Sequence, residues 1–106
     1  MKKPAIALVL QCAPNHGSSL CAFRLAQTIV SSGKATLSSI FFYGDGVYHA
    51  LASAVDWGAL NVDLGVCVAS LQRRGEESVV ENGFDTVGLG YLAKVYQQND
   101  KVIVLG

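Results

Sequence analysis

Strand-length apolar runs alternate with helix-like segments along the whole chain, which predicts an α/β fold. We expect three layers: a parallel sheet of four or five strands with helices on both faces. Hydrophobic residues make up 51% of the 106 positions and charged residues 15%, as expected for strands covered on both sides. Because the chain has no repeat and no low-complexity tract, residues 1–106 are predicted to form a single domain.

The first half of the chain predicts a strand, a helix and a second strand. Ala5–Leu10 is a continuous apolar run typical of a central parallel strand. Ser18 or Ser19 can cap the following helix, and Gly33 ends it. The predicted inward face of this helix comprises Ala22, Phe23, Ala26, Ile29 and Val30. Residues 36–43 form the second predicted strand.

The second half is less regular. Residues 47–57 favour a short helix, with Val47, Leu51, Ala54 and Val55 inward. Alternation over residues 62–69 predicts a strand, followed by a short helix at 70–74 that Gly75 closes. Residues 83–87 form a bend or a very short strand. The chain ends with a helix over 88–98, which Thr86 can cap, and a strand at Lys101–Leu105. Inward positions predicted for this last helix are Leu89, Leu92, Val95 and Tyr96.

Composition argues against several classes of protein. Eight basic and eight acidic side chains leave no net charge, so neither nucleic acid nor an anionic membrane is an expected partner. Three cysteines, an odd number, argue against a disulfide scaffold and for a reducing compartment, which predicts a cytoplasmic protein. The six-residue apolar run near the amino terminus is too short for a signal core of about 7–15 residues.

Cys67 falls near the carboxyl end of its predicted strand, where ligands bind in open α/β sheets. A free thiol has a pKa of about 8.5, and nearby positive charge lowers it. Arg73 and Arg74 follow closely and are candidates to stabilise the thiolate or to meet an acidic partner. The alternative is an inert Cys67, since free cysteines are usually buried as small hydrophobic residues. A reactive thiol must instead be ionised and reachable.

Three ordered blocks of sequence resemble the DsrE/TusD family of sulfur-relay proteins. They are residues 41–50 (FFYGDGVYHA), residues 67–75 (CVASLQRRG), and Gly83-Phe84 followed by Gly88-Leu89-Gly90. The resemblance implies that Cys67 carries sulfur as a persulfide. It also implies a TusA-like sulfur donor, a TusE/DsrC-like acceptor, and an oligomer with itself or with related subunits. Relative to the family, the chain is expected to be shortened between Ala50 and Val62.

Three alternatives concern the cysteines. Cys67 and Arg73 match Cys-x5-Arg, the signature of cysteine phosphatases, although the loop between them contains no glycine. A structural or partner-binding subunit with an unreactive Cys67 is a second alternative. Cys12 follows the first strand and is a candidate second thiol for Cys67, depending on strand order. No cofactor is expected, and no spacing of histidines and cysteines predicts a metal site.

Overall fold

The computed structural model describes residues 3–14, 17–51, 55–76, 80–81 and 83–106, with backbone alone at 17 and 18. Five strands form one sheet in the order β4-β3-β2-β1-β5, and all of its pairings are parallel. The strands are β1 Ala5–Leu10, β2 Thr36–Phe42, β3 Asp63–Cys67, β4 Asp85–Val87 and β5 Lys101–Leu105. The predicted parallel sheet is confirmed, and residues 83–87 supply a three-residue strand.

Helices cover both faces of this sheet. They are α1 Gly17–Ser32, α2 Val68–Arg73 and α3 Leu89–Gln98, with 3₁₀ helices η1 Gly44–Ala50 and η2 Trp57–Leu60. The connection through α1 runs from β1 to β2, whereas α3 returns from one edge strand to the other, β4 to β5. Since such crossovers are right-handed, the opposite directions place α1 and α3 on opposite faces.

Two neighbouring phenylalanines of β2 show the two faces directly. Successive strand residues point to opposite sides of a sheet. Phe41 packs against Tyr91 of α3 with ring centroids 5.7 Å apart. Phe42 packs against Trp57, at 5.3 Å, and Trp57 contacts Phe23 of α1 at 5.0 Å. The core therefore has one aromatic layer on each face.

Several local predictions are wrong at the helices. Ser19 lies inside α1, where its hydroxyl donates to the carbonyl of Ala13 and does not cap the helix; the side chain of Ser18 lies outside the described residues. Gly88, rather than Thr86, precedes α3, and no side chain caps it. The short helix predicted within residues 47–57 is a 3₁₀ helix rather than an α-helix where it is described: η1 ends at Ala50, and η2 begins at Trp57. Val47 is buried as predicted, and Ala54 is among the residues not described.

The inward faces of two helices also differ from prediction. Val30 of α1 is 46% exposed, and in α3 Leu89 and Tyr96 are 56% and 54% exposed. Leu92 packs against the core and Val95 is buried, as predicted, and Tyr91 packs against the core without having been predicted. The row of α3 side chains that contacts the sheet is narrower than the apolar pattern of the helix. The reason is that α3, with ten residues, crosses this face of the sheet alone among the described helices. Among the described residues, no helix is long and apolar enough to cross a membrane.

Candidate functional site

Cys67 is the last residue of β3 and directly precedes α2. Its neighbour on the sheet edge is Val87 of β4. The residue is only 1% exposed and belongs to the hydrophobic core. The predicted position at the strand's carboxyl end is thus what the structure shows, but the thiol is enclosed in the single chain, whereas a relay thiol must be reachable.

Two side-chain hydrogen bonds join the α2 segment to η1. The backbone N–H of Gly44 donates to the Ser70 hydroxyl at 3.1 Å. Arg74, at the carboxyl end of α2, donates to Asp45 Oδ1 at 2.6 Å. Gly75 adopts a left-handed conformation (φ 66°) and ends the helix, with the Glu76 N–H bonded to the Leu71 carbonyl. The predicted closure by Gly75 is therefore correct, although α2 begins two residues earlier than predicted.

The two arginines have different environments. Arg74 also donates to the Ser70 carbonyl at 3.0 Å, and its guanidinium lies 5.8 Å from the centroid of the Tyr48 ring. The hydrogen bond to Asp45 raises the pKa of Arg74, which keeps its positive charge. Arg73 is exposed. In this arrangement Arg74 is engaged with a carboxylate rather than with a sulfur anion.

The structure does not support the phosphatase interpretation. In cysteine phosphatases the residues between cysteine and arginine form a loop whose backbone donors converge on an oxyanion. Here the segment between Cys67 and Arg73 is α-helical, and the Arg73 side chain is exposed. The helix directs successive N–H groups along its axis, so they do not surround a common point.

Cys12 lies after β1 in a polar network that the sequence did not predict. Its Sγ is 3.4 Å from the Ser19 hydroxyl, which in turn lies 3.3 Å from His49 Nε2. The same His49 nitrogen lies 3.1 Å from the Cys12 carbonyl. Cys12 is 5%, Ser19 5% and His49 1% exposed, so the network is buried.

The acceptors in this network determine where its protons lie. The Ser19 hydroxyl donates its only hydrogen to Ala13, so it accepts from its other neighbours. A carbonyl only accepts, so His49 Nε2 must carry the proton that reaches Cys12. Burial lowers the pKa of His49 below its usual 6.5, which keeps the ring neutral. Nδ1 is left buried without a hydrogen-bond partner among the described residues.

Cys12 and Cys67 lie at the same edge of the sheet but do not form a close pair. Strand β2 separates β1 from β3. Two strand spacings amount to about 10 Å, whereas a disulfide needs Cα atoms roughly 4.4–6.8 Å apart. A direct bond between the two sulfurs would therefore require backbone movement. The third cysteine, Cys21, is exposed.

The 3₁₀ helix η1 contacts the segments that enclose both buried thiols. Its first residues contact α2 beside Cys67, whereas His49 near its end contacts Cys12. Gly46 allows η1 to lie on the sheet edge, because a Cβ at this position would collide with the carbonyl oxygen of Leu10. The need for glycine at this position comes from the close approach of the two segments, which the sequence alone does not show.

Several residues of the site carry no local sequence signal. His49 meets Ser19 and Cys12 across 30 and 37 positions, and Arg74 meets Asp45 across 29. Only the folded chain brings them together. Among the described residues, no group of three histidine, cysteine or acidic side chains is placed to hold a metal ion.

Comparison with known proteins agrees with this geometry. The model of the DsrE/DsrF-like family matches residues 5–105, nearly the whole chain. The chain belongs to the DsrE/DsrF-like family. The resemblance seen in the three sequence blocks is thus confirmed, and Cys67, in the second block, falls within the matched region of this DsrE-like protein.

A solved structure shows the same fold. The crystal structure of the YchN protein from E. coli matches with a TM-score of 0.78 and 24% sequence identity. The match covers 98% of this chain and 99% of YchN. The two chains are therefore nearly equal in length.

Proposed function

We propose that this DsrE-like protein is a sulfur-relay subunit that accepts sulfur as a persulfide on Cys67 and passes it to a cysteine of another protein. Membership of the family over residues 5–105 supports a role in sulfur relay. The observation that carries the assignment to Cys67 is its position at the carboxyl end of β3, directly before α2, within a block shared with the family.

The proposed reaction is thiol exchange in two steps. The Cys67 thiol loses its proton, and the thiolate attacks the outer sulfur of a donor persulfide. A new S–S bond forms on Cys67 while the old one breaks, and the donor leaves as a thiolate. An acceptor thiolate then attacks the outer sulfur on Cys67 in the same way. No net oxidation occurs, so the exchange requires no cofactor.

The partners we propose are a TusA-like carrier as donor and a TusE/DsrC-like carrier as acceptor, in the cytoplasm. We also propose an oligomer with itself or with related subunits. Among the described residues, five large apolar side chains are about half exposed in the single chain, which supports such contacts. They are Leu20, Val30, Leu89, Tyr96 and Val104. Light scattering tests the oligomer, and a clean monomer contradicts it.

A second candidate is a non-catalytic subunit of a DsrE-like complex. The 1% exposure of Cys67 favours this alternative, because a sealed thiol cannot exchange sulfur. Relay through Cys67 therefore requires that its surroundings open.

Mass spectrometry distinguishes the two candidates. The purified chain is incubated with a low-molecular-weight persulfide, and the modified cysteine is mapped by peptide analysis. Relay predicts a gain of one sulfur atom on Cys67, its loss in Cys67→Ser, and retention in the matched controls Cys12→Ser and Cys21→Ser. Transfer of this sulfur to an added acceptor thiol completes the test. An unmodified Cys67 beside a modified Cys21, the exposed thiol, would support the structural subunit.

A further inference from the structure

Asp45, Tyr48, Ser70 and Arg74 form a contact surface between η1 and α2, which we name the Arg74 rim. We propose that an acidic segment of a partner protein docks on this rim, takes Arg74 from Asp45, and thereby lets α2 open and expose Cys67. The proposal rests on the relay function, because it explains how an enclosed thiol reaches its partner. It also names the partner's chemistry: carboxylates close to the cysteine that exchanges sulfur.

The first step is the mechanical link between α2 and the thiol. Cys67 is the residue from which α2 begins, so any rotation of α2 turns the backbone at Cys67. Ser70 and Arg74 of this segment hold it against Gly44 and Asp45. With both contacts in place Cys67 is 1% exposed. Releasing them removes the polar contacts that tie α2 to η1 and leaves Leu71 as the buried contact of α2 with the core.

The second step is that the tie is accessible from outside. The Asp45 side chain is 62% exposed and that of Arg74 is 23% exposed. Ion pairs at such exposed positions are weak, because water and salt screen them. A carboxylate from another chain can therefore compete with Asp45 for the same guanidinium.

The third step is the charge that an incoming segment meets. Arg74 remains protonated, and the Tyr48 ring beneath its guanidinium favours the cation while its carboxylate partner changes. Arg73 adds an exposed positive charge next to it, and Glu76 follows after the turn. Among the described residues of this surface, Arg73 and Arg74 balance Asp45 and Glu76 in number, so the attraction for an acidic segment comes from direct pairing of its carboxylate with the Arg74 guanidinium.

The experiment measures the alkylation rate of Cys67 by neutral iodoacetamide at low ionic strength, followed by peptide mass spectrometry. The full chain carries Cys21→Ser to remove the exposed thiol. Arg74→Gln and Asp45→Asn are expected to raise the rate about two- to fivefold, as expected for the loss of an exposed ion pair. Arg74→Lys should restore protection in part. The charge-matched control is Arg24→Gln, at an exposed arginine of α1, which leaves the tie in place and should change the rate little.

A peptide titration tests the partner chemistry. In the protein with an unmodified rim, hexaglutamate should accelerate alkylation of Cys67, and hexaglutamine should not. Salt should abolish the difference between the two peptides. With Arg74→Gln the acceleration should disappear, whereas Asp45→Asn should bind labelled hexaglutamate more tightly, because its competitor is gone. Equal rates in all variants, or an equal effect of Arg24→Gln, would overturn the rim as a tie. Failure of hexaglutamate alone would overturn the acidic partner.

These results are independent of sulfur loading. If alkylation responds as described while Cys67 takes up no persulfide sulfur, the relay function fails and the opening of α2 stands. If Cys67 loads sulfur at the same rate in every rim variant, the relay stands and the rim proposal fails.

Discussion

Cys12 and Cys67 are both enclosed at the carboxyl edge of the sheet, but different contacts hold them there. The surroundings of Cys12 are fixed by buried hydrogen bonds to Ser19 and His49. The surroundings of Cys67 depend on helix α2, which the exposed ion pair between Arg74 and Asp45 holds against η1. Buried polar networks are costly to break, whereas exposed ion pairs contribute little. Two thiols with nearly equal exposure therefore differ in how readily they can be released.

The largest expected effect comes from Gly46→Ala, which acts on both thiols. The added Cβ collides with the Leu10 carbonyl, so η1 must lift from the sheet edge. We expect a loss of at least about 2 kcal/mol in the free energy of unfolding, as for other forced overpacking. Urea denaturation measures it, and alkylation of Cys12 and Cys67 should rise together. Gly44→Ala is no matched control, because Gly44 has φ 57°. A separate response of the two thiols would show that η1 does not link them.

His49→Phe should affect Cys12 alone. The ring still packs against Phe42 and Trp57, but the donor to the Cys12 carbonyl is lost. A buried acceptor left without its donor costs roughly 1–3 kcal/mol. Urea denaturation should show this loss, and iodoacetamide should reach Cys12 faster while Cys67 keeps its rate. His49→Gln, which can still donate, serves as the control. Faster reaction of Cys67 would contradict the separation of the two sites.

The same histidine predicts a pH dependence of stability. Burial lowers the pKa of folded His49 below 6.5, so the unfolded chain takes up a proton at a higher pH than the folded chain. The contribution is fully present above the unfolded pKa and is lost as pH falls through 6.5 toward the folded value. Between about pH 7.5 and about pH 5.5, the Tm of the wild type should fall more than that of His49→Phe. Parallel Tm curves would show that His49 does not titrate differently on folding.

The smallest expected effect is that of Ser70→Ala on Cys67. The substitution removes the acceptor of the Gly44 N–H, a single neutral hydrogen bond worth about 0.5–1.5 kcal/mol. Alkylation of Cys67 should rise a few-fold and that of Cys12 should not change. Ser31→Ala, on the exposed side of α1, is the matched control. An unchanged Cys67 rate would assign the tie to Arg74 and Asp45 alone.

Much of the fold was predictable because burial on both faces of a parallel sheet leaves continuous apolar runs. β1 and β5 were predicted with their observed bounds, and the alternation of residues 62–69 placed Cys67 near the carboxyl end of its strand. The details of α3 were not predictable, since its apolar pattern is wider than the stripe that meets the sheet. Tyr91 finds its place because Gly65 leaves room beneath it, a fit between residues 26 positions apart.

The candidate site also has features that were predicted from the sequence and others that required the fold. The residue types and spacing near Cys67, together with family resemblance, pointed to the thiol, to both arginines and to Cys12. Strand order decided that β2 separates the two cysteines. The pairing of Arg74 with Asp45 and the network of His49 also required the fold, because each joins segments about 30 or more positions apart.

By itself, the sequence determined the α/β class, the position of Cys67 at a strand end and the likeness to a sulfur-relay family, since all three depend on local pattern. Only the tertiary structure decided that Cys67 is enclosed and that η1 supports both thiols. Exposure and hydrogen bonding depend on which distant segments meet, and a linear pattern does not contain that information.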